Sequence, residues 1–279
     1  MTTLDRTDPT PTPTTPDPAP TPAPALRQIG ALARAEWTLL LRNKVAAINC
    51  FALPLVCAVF FLGVAPDALG LGVLVPTIVL GTALLFVVYY TLVTALVARR
   101  ESLLLKRLRA GEASDGVILA GLSAPFVAVT LGQAVLAAAA ATVLFDLPLH
   151  PRMLLFLLGA LAACVTWVML AIASTPMTKS VEHAQITTLP VIMVPLLLSG
   201  LSIPLAVMPE PLRTVAQLTP LTPVTELSTL AFAGTDLDGR ALGGAQVLLA
   251  AIRPLLVLVA WALVGTWVAK RTMRWEARS

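Results

Sequence analysis

The sequence predicts an all-α integral membrane protein with six transmembrane helices and both termini on the cytoplasmic side. Three observations predict it. Six apolar runs reach bilayer length, at residues 45–64, 71–98, 117–144, 153–173, 186–207 and 248–269. About 20 apolar residues at roughly 1.5 Å rise cover a hydrocarbon core about 30 Å thick. The chain of 279 residues is 57% hydrophobic and 12% charged, with mean hydropathy +0.87, whereas soluble domains carry about 25% charged residues. Lastly, Lys and Arg are sorted between alternate connections. Arg27, Arg34, Arg42 and Lys44 precede the first run, and Arg99, Arg100, Lys106, Arg107 and Arg109 separate the second from the third. Lys179 follows the fourth run, and Lys270, Arg271, Arg274 and Arg278 follow the sixth. The other side holds only Arg152, Arg213, Arg240 and Arg253, so the positive-inside rule puts both termini in the cytoplasm.

Residues 1–25 carry a proline at nearly every second or third position and little apolar content. Such a stretch cannot bury enough surface to offset its ordering entropy, so a solvated cytoplasmic tail is expected, with docking as the alternative. It has no basic segment followed by an apolar core, so the first run is expected to serve as the insertion signal. Over residues 26–44, Leu26, Ile29, Ala33, Trp37 and Leu40 recur at helical spacing while Arg27, Arg34 and Arg42 lie off that stripe. That pattern predicts an amphipathic helix in the membrane interface, with Glu36 tolerated at that depth; the simpler reading is a lead-in to the first span.

The densest charge lies at residues 99–111. A short helix there puts Leu104, Leu105 and Leu108 on one face and Arg100, Lys106, Arg107 and Arg109 around it, with Gly111 stopping it and Ser114-Asp115 opening the next helix. A leucine edge of this kind suits docking into a partner's groove. A basic juxtamembrane segment that only fixes topology and touches anionic lipid fits the same residues.

Catalytic and metal chemistry find little to draw on. Cys50, Cys57 and Cys164 fall inside the runs and read as packing residues, and His150 and His183 lie in different connections. No metal site, cofactor or catalytic residue is expected. A pI near 9.3 raises nucleic acid as a partner, but the basic residues flank spans and form no single stripe. The polar residues inside the runs, such as Asn49, Tyr89, Thr91, Gln133 and Thr166, are neutral helix-joining groups. Arg253 is the one charge inside a run, placed to snorkel outward as an anchor, with a substrate counter-ion as the other reading. Lys179-Ser180 lacks the glycines of a phosphate-binding loop, so ATP, if it supplies the energy, is bound by another polypeptide.

The segment Arg99-Arg100-Glu101 through Lys106-Arg107-Leu108-Arg109 resembles the coupling-helix region of the ABC transmembrane type-2 permeases. A second match follows: Ser199-Gly200, the Ile203-Pro204 step, the Pro209-initiated stretch to Arg213, and Pro220-Leu221-Thr222. Arg42-Asn43 ahead of the first run fits too, although Lys44 stands where the family often has proline, and the external segment has extra prolines. The resemblance covers residues 26–275 and is nearest to the small bacterial daunorubicin-resistance type of permease.

It implies a bacterial plasma-membrane exporter subunit, working as a homodimer or heterodimer with a separate ABC ATPase, that moves drug-like, antibiotic-like or lipid-like cargo outward. Arg100, Glu101, Leu104, Leu105, Lys106, Leu108 and Arg109 would form the ATPase-coupling surface, with residues 178–185 as a minor contact. Residues 204–230 would form an external re-entrant hairpin, shaped by Gly200, Pro204, Pro209 and Pro220, with Glu226 as a rim charge or merely a helix-terminal carboxylate. Phe86, Tyr89, Tyr90, Trp167 and Met193 are the candidates for a cargo route, although aromatics in a membrane helix more often pack. An ATP-independent carrier or channel is the alternative; it predicts pore-lining charge or an inverted repeat, and the sequence offers neither. A non-transport membrane component is a further one.

Overall fold

A computed structural model of the chain describes residues 24–62, 70–110 and 113–272. The Pro/Thr-rich stretch 1–23, the end of the first apolar run, the Gly111 helix stop, Arg274 and Arg278 lie outside the described residues. Within them the chain is helical, apart from one isolated antiparallel bridge between Thr235 and Ala241.

Helix α1 (Ala25–Arg42) leads through Asn43, whose side chain caps α2 by accepting from the Ala46 N–H at 3.2 Å. Helices α2 (Lys44–Phe51) and α3 (Leu53–Leu62) divide the first apolar run at Ala52. Pro54 causes the break: it has no N–H to give the Cys50 carbonyl, and its ring crowds the preceding turn. The deserted carbonyl takes its proton from a distant residue, because Gln133 Nε2 donates to Cys50 O at 2.9 Å. A single amide in an apolar run thus repairs a proline break on another helix.

Among the described residues five stretches are long and apolar enough to cross a membrane, one fewer than expected, because the broken first run is not among them. The first, Leu71–Glu101, is a continuous rod of α4 (Leu71–Thr82), a π-helical segment (Ala83–Tyr90) and α5 (Thr91–Glu101). It is the most buried of the five, packed among α3, α7 (Asp115–Leu144), α8 (Met153–Ser174) and α11 (Thr222–Phe232). Helix α8 continues through a 3-10 turn to Met177, and α12 (Gly244–Thr272) packs along it. Helix α6 (Leu104–Arg109) is the short element between the rod and α7.

The fifth apolar run departs from the expected 186–207. Helix α9 is Val181–Leu198, opened by Ser180, whose Oγ accepts from the His183 N–H. It stops early because Gly200 adopts φ +87°, a left-handed conformation that ends helices, and Pro204 follows. The residues expected to finish that span instead form a 3-10 turn (Leu205–Val207) and lead to α10 (Glu210–Gln217).

Candidate functional site

The basic end of the bundle is held by two arginines in succession. Arg99 forms a forked pair with Glu36, Nε to Oε1 and one terminal nitrogen to Oε2, both at 2.7 Å. Glu36 is buried because α1 lies against α7 with Ile29, Ala33, Glu36 and Leu40 turned inward, while Leu26 and Trp37 of the expected stripe face outward. At Gly121 of α7 the approach is so close that a Cβ would meet Leu32 Cβ at 2.6 Å. The predicted interfacial helix is therefore docked on the bundle, and its one acid is neutralised by the rod.

Arg100 points the other way. Its side chain is buried, 2% exposed, and donates to three main-chain carbonyls of the α8–α9 connection: Thr175 at 3.0 Å, Thr178 at 2.5 Å and Lys179 at 3.1 Å. A guanidinium fork suits such diverging acceptors. Arg100 thus ties the end of α5 to a connection 78 residues further along the chain.

The continuous coupling helix expected from residue 99 onward is interrupted. Leu103 takes a left-handed φ of 58°, and α6 starts afresh at Leu104. The seven residues expected to share one docking surface divide accordingly. Glu101, Lys106 and Arg109 are exposed, as are Leu103 and Arg107; Leu104 and Leu108 are half-buried; Leu105 and Arg100 are buried within the chain. The exposed apolar residue is thus Leu103, and Leu105 anchors α6 to the bundle. Arg109 reaches Asp115 at 3.4 Å, where Ser114 caps α7 by accepting from the Val117 N–H.

The residues expected along a cargo route sit in different settings within the chain. Tyr89 and Trp167 are fully buried and packed edge-to-face at 5.7 Å, and the Tyr89 hydroxyl donates to Ser174 Oγ at 2.9 Å. Phe86 and Met193 are half-buried against the same core. Tyr90 lines a cleft of about 390 Å³, shared with Glu36, Asn43, Asn49, Thr94 and Arg99. The π segment ends here: Thr91 returns both its N–H and its Oγ1 proton to Phe86 O, five residues back.

At the opposite end, prolines start the helices. Pro204 precedes the 3-10 turn, Pro209 caps α10, and Pro220 stands in the bend before α11, whose own first turn contains Pro223. Every residue of α11 is buried, the helix lying among α4, α8 and α12. Glu226 sits mid-helix, so it is no terminal carboxylate, and it accepts from Arg253 of α12 at 2.7 Å. Burial pushes its carboxyl above the ordinary value against the pull of Arg253. Arg253 also donates to Gln217 Oε1 at 2.7 Å, so the one charge within an apolar run bridges α10, α11 and α12.

Three of these features escaped the sequence reading: the Glu36–Arg99 fork, the Arg100 clamp and the Gln133 repair. The first left a trace, because Glu36 falls at helical spacing with Ala33 and Leu40. The others depend on which helices meet.

Among the described residues no three His, Cys, Asp or Glu side chains gather as a metal site. Apolar helices of bilayer length define a multi-pass membrane protein, with the pairs Glu36–Arg99, Arg109–Asp115 and Glu226–Arg253 toward its two ends. A family model, the ABC-2 type transporter, matches residues 27–232, from α1 to the last residue of α11. The chain belongs to that family and is the membrane subunit of an ABC transporter, the permease component and not its ATPase. No curated protein matches the chain.

Proposed function

We propose that the chain is half of a permease dimer that exports a hydrophobic or amphipathic compound, drug-like or lipid-like, across a bacterial plasma membrane. A separate ATPase subunit supplies the energy, and the basic end with both termini faces the cytoplasm. The daunorubicin-resistance type of efflux permease is the subgroup this reading favours. The observation that carries the proposal is the construction of the basic end. Leu103 just before helix α6 and Lys106 and Arg107 on it face outward, and α6 stands on α5, whose Arg99 and Arg100 grip α1 and the α8–α9 connection. A push on α6 therefore moves three parts of the bundle as one block. The π segment above gives that block a place to bend, since π turns mark functional sites in helices more often than chance. On the far side, α10 and α11 act as the re-entrant hairpin over the exit; α11 is sheltered on all sides, as a segment at membrane depth requires, while α10 keeps one face exposed.

The test is co-purification. The tagged chain, extracted gently from its native membrane, is expected to bring a stoichiometric ATPase, and a Leu103→Asp/Arg107→Glu variant is expected to lose it while staying folded. Recovery of the permease without any ATPase, under conditions that preserve a known complex, would overturn the reading in favour of an ATP-independent carrier.

A further inference from the structure

At the basic end, α7, α8 and α12 enclose a groove of about 610 Å³ that the coupling scheme does not use. Arg109, Asp115 and Lys270 stand at its mouth, and Leu119 and Val127 of α7 face Val165, Val168 and Ile172 of α8 below them. We propose that this groove binds one anionic phospholipid, with its phosphate on Arg109 and Lys270 and an acyl chain lying along the apolar walls.

Four observations carry this. The first is length: the α7 wall runs from Gly116 to Val127, and eleven steps of about 1.5 Å make roughly 16 Å, half of a hydrocarbon core about 30 Å thick. The groove has the reach of an acyl chain from one leaflet. The second is charge. Two cations and one carboxylate line the mouth, and the Arg109–Asp115 pair is about half exposed on both sides, so solvent weakens it and net positive charge remains.

Third, the walls offer little to a polar cargo. The two hydroxyls that line them spend their protons within their own helices, Ser123 on Leu119 O at 2.8 Å and Thr266 on Ala262 O at 2.7 Å. Fourth, the mouth lies at headgroup depth. One turn or less from Lys270, the exposed Trp267 carries the Arg271 guanidinium over its ring at 4.1 Å, the pairing of aromatic and cation that marks a membrane interface. Basic pockets between membrane helices are recurrent sites for anionic headgroups.

The proposed export reading enters only in assigning the site to the cytoplasmic leaflet; occupancy requires neither ATPase nor transport. The experiment counts lipids on the full-length chain by native mass spectrometry. Delipidated protein is exchanged into detergent with palmitoyl-oleoyl phosphatidylglycerol or phosphatidylcholine, which share acyl chains and differ in headgroup charge. The wild type is expected to retain one phosphatidylglycerol per chain with at least about tenfold preference over phosphatidylcholine, in proportion to two interfacial cations. Arg109→Gln/Lys270→Gln is expected to abolish the preference, and Lys270→Arg to keep it. Asp115→Asn, which removes the carboxylate from the mouth, is expected to tighten phosphatidylglycerol several-fold, and Ala120→Trp, which fills the groove, to weaken both lipids. If the double variant does not fold, the last two decide, because they move binding in opposite directions. Equal retention of the two lipids by the wild type would overturn the proposal. So would unchanged retention in the variants, or one-for-one displacement by a co-purified non-lipid compound, which would make the groove a cargo site.

Discussion

Replacing Arg100 by methionine isolates the clamp between the rod and the α8–α9 connection. Methionine keeps much of the length and the apolar stem and removes only the donors. The three carbonyls then fare differently. Thr175 O keeps the Thr178 N–H at 3.2 Å, and Lys179 O, next to an exposed side chain, can turn to water. Thr178 O, the acceptor of the 2.5 Å bond, is left buried. A hydrogen bond to a charged group contributes about 1.5–3 kcal/mol, and an orphaned buried acceptor costs about 1–3 kcal/mol. The variant no longer has to strip a guanidinium of water on folding, which offsets part and leaves a loss of about 2–3 kcal/mol.

Two readouts on the full chain in detergent measure it. One is equilibrium unfolding; the other is trypsin cleavage after Lys179, whose carbonyl the clamp holds and whose side chain is exposed. The variant is expected to unfold earlier and to be cut there faster, with Arg100→Lys in between because a point ammonium reaches fewer of the diverging acceptors. A stability change below about 0.5 kcal/mol, the range of ordinary surface substitutions, together with unaltered cleavage would refute the clamp.

Other substitutions test the remaining contacts. Glu36→Gln is expected to cost about 3 kcal/mol by stranding Arg99, whose side chain is 18% exposed, and adding Arg99→Met is expected to recover much of it in a double-mutant cycle. Gln133→Met deserts the Cys50 carbonyl for about 1–2 kcal/mol, and a Pro54→Ala change in the same chain, by restoring an N–H, is expected to cancel most of that loss in thermal unfolding. Gly121→Val places carbon against Leu32 Cβ and is expected to cost about 1–3 kcal/mol and to raise protease access to α1; unchanged access would mean α1 is not seated on α7.

The expected sequence features reappear where they depend on one segment alone. Ser114, expected to open a helix, caps α7; Ser180 and Asn43, not singled out as caps from the sequence, act in the same local way on α9 and α2, each accepting from the N–H three residues on. The coupling segment shows the limit. Its residue types at helical spacing were legible, yet the left-handed Leu103 and the inward turn of Leu105 follow from how α6 meets the bundle. Tyr89 and Trp167 show the same: an aromatic in an apolar run can line a route or fill a core, and only the neighbouring helix tells which.

The sequence by itself determined that the chain lives in a bilayer and that most of its charges lie between its apolar runs, but not that the first run would break at Ala52 or the fifth stop at Leu198. Those properties come from the match of each segment to the lipid, summed over some 20 residues, so no knowledge of partners is needed. Only the tertiary structure decided how the buried polar groups are satisfied. Arg99 meets Glu36 across 63 residues, Arg100 meets Thr178 across 78, and Gln133 meets Cys50 across 83. A buried polar group in an apolar medium must find a partner. Which partner it finds is set by the packing of helices distant in the chain, and local pattern carries no record of that.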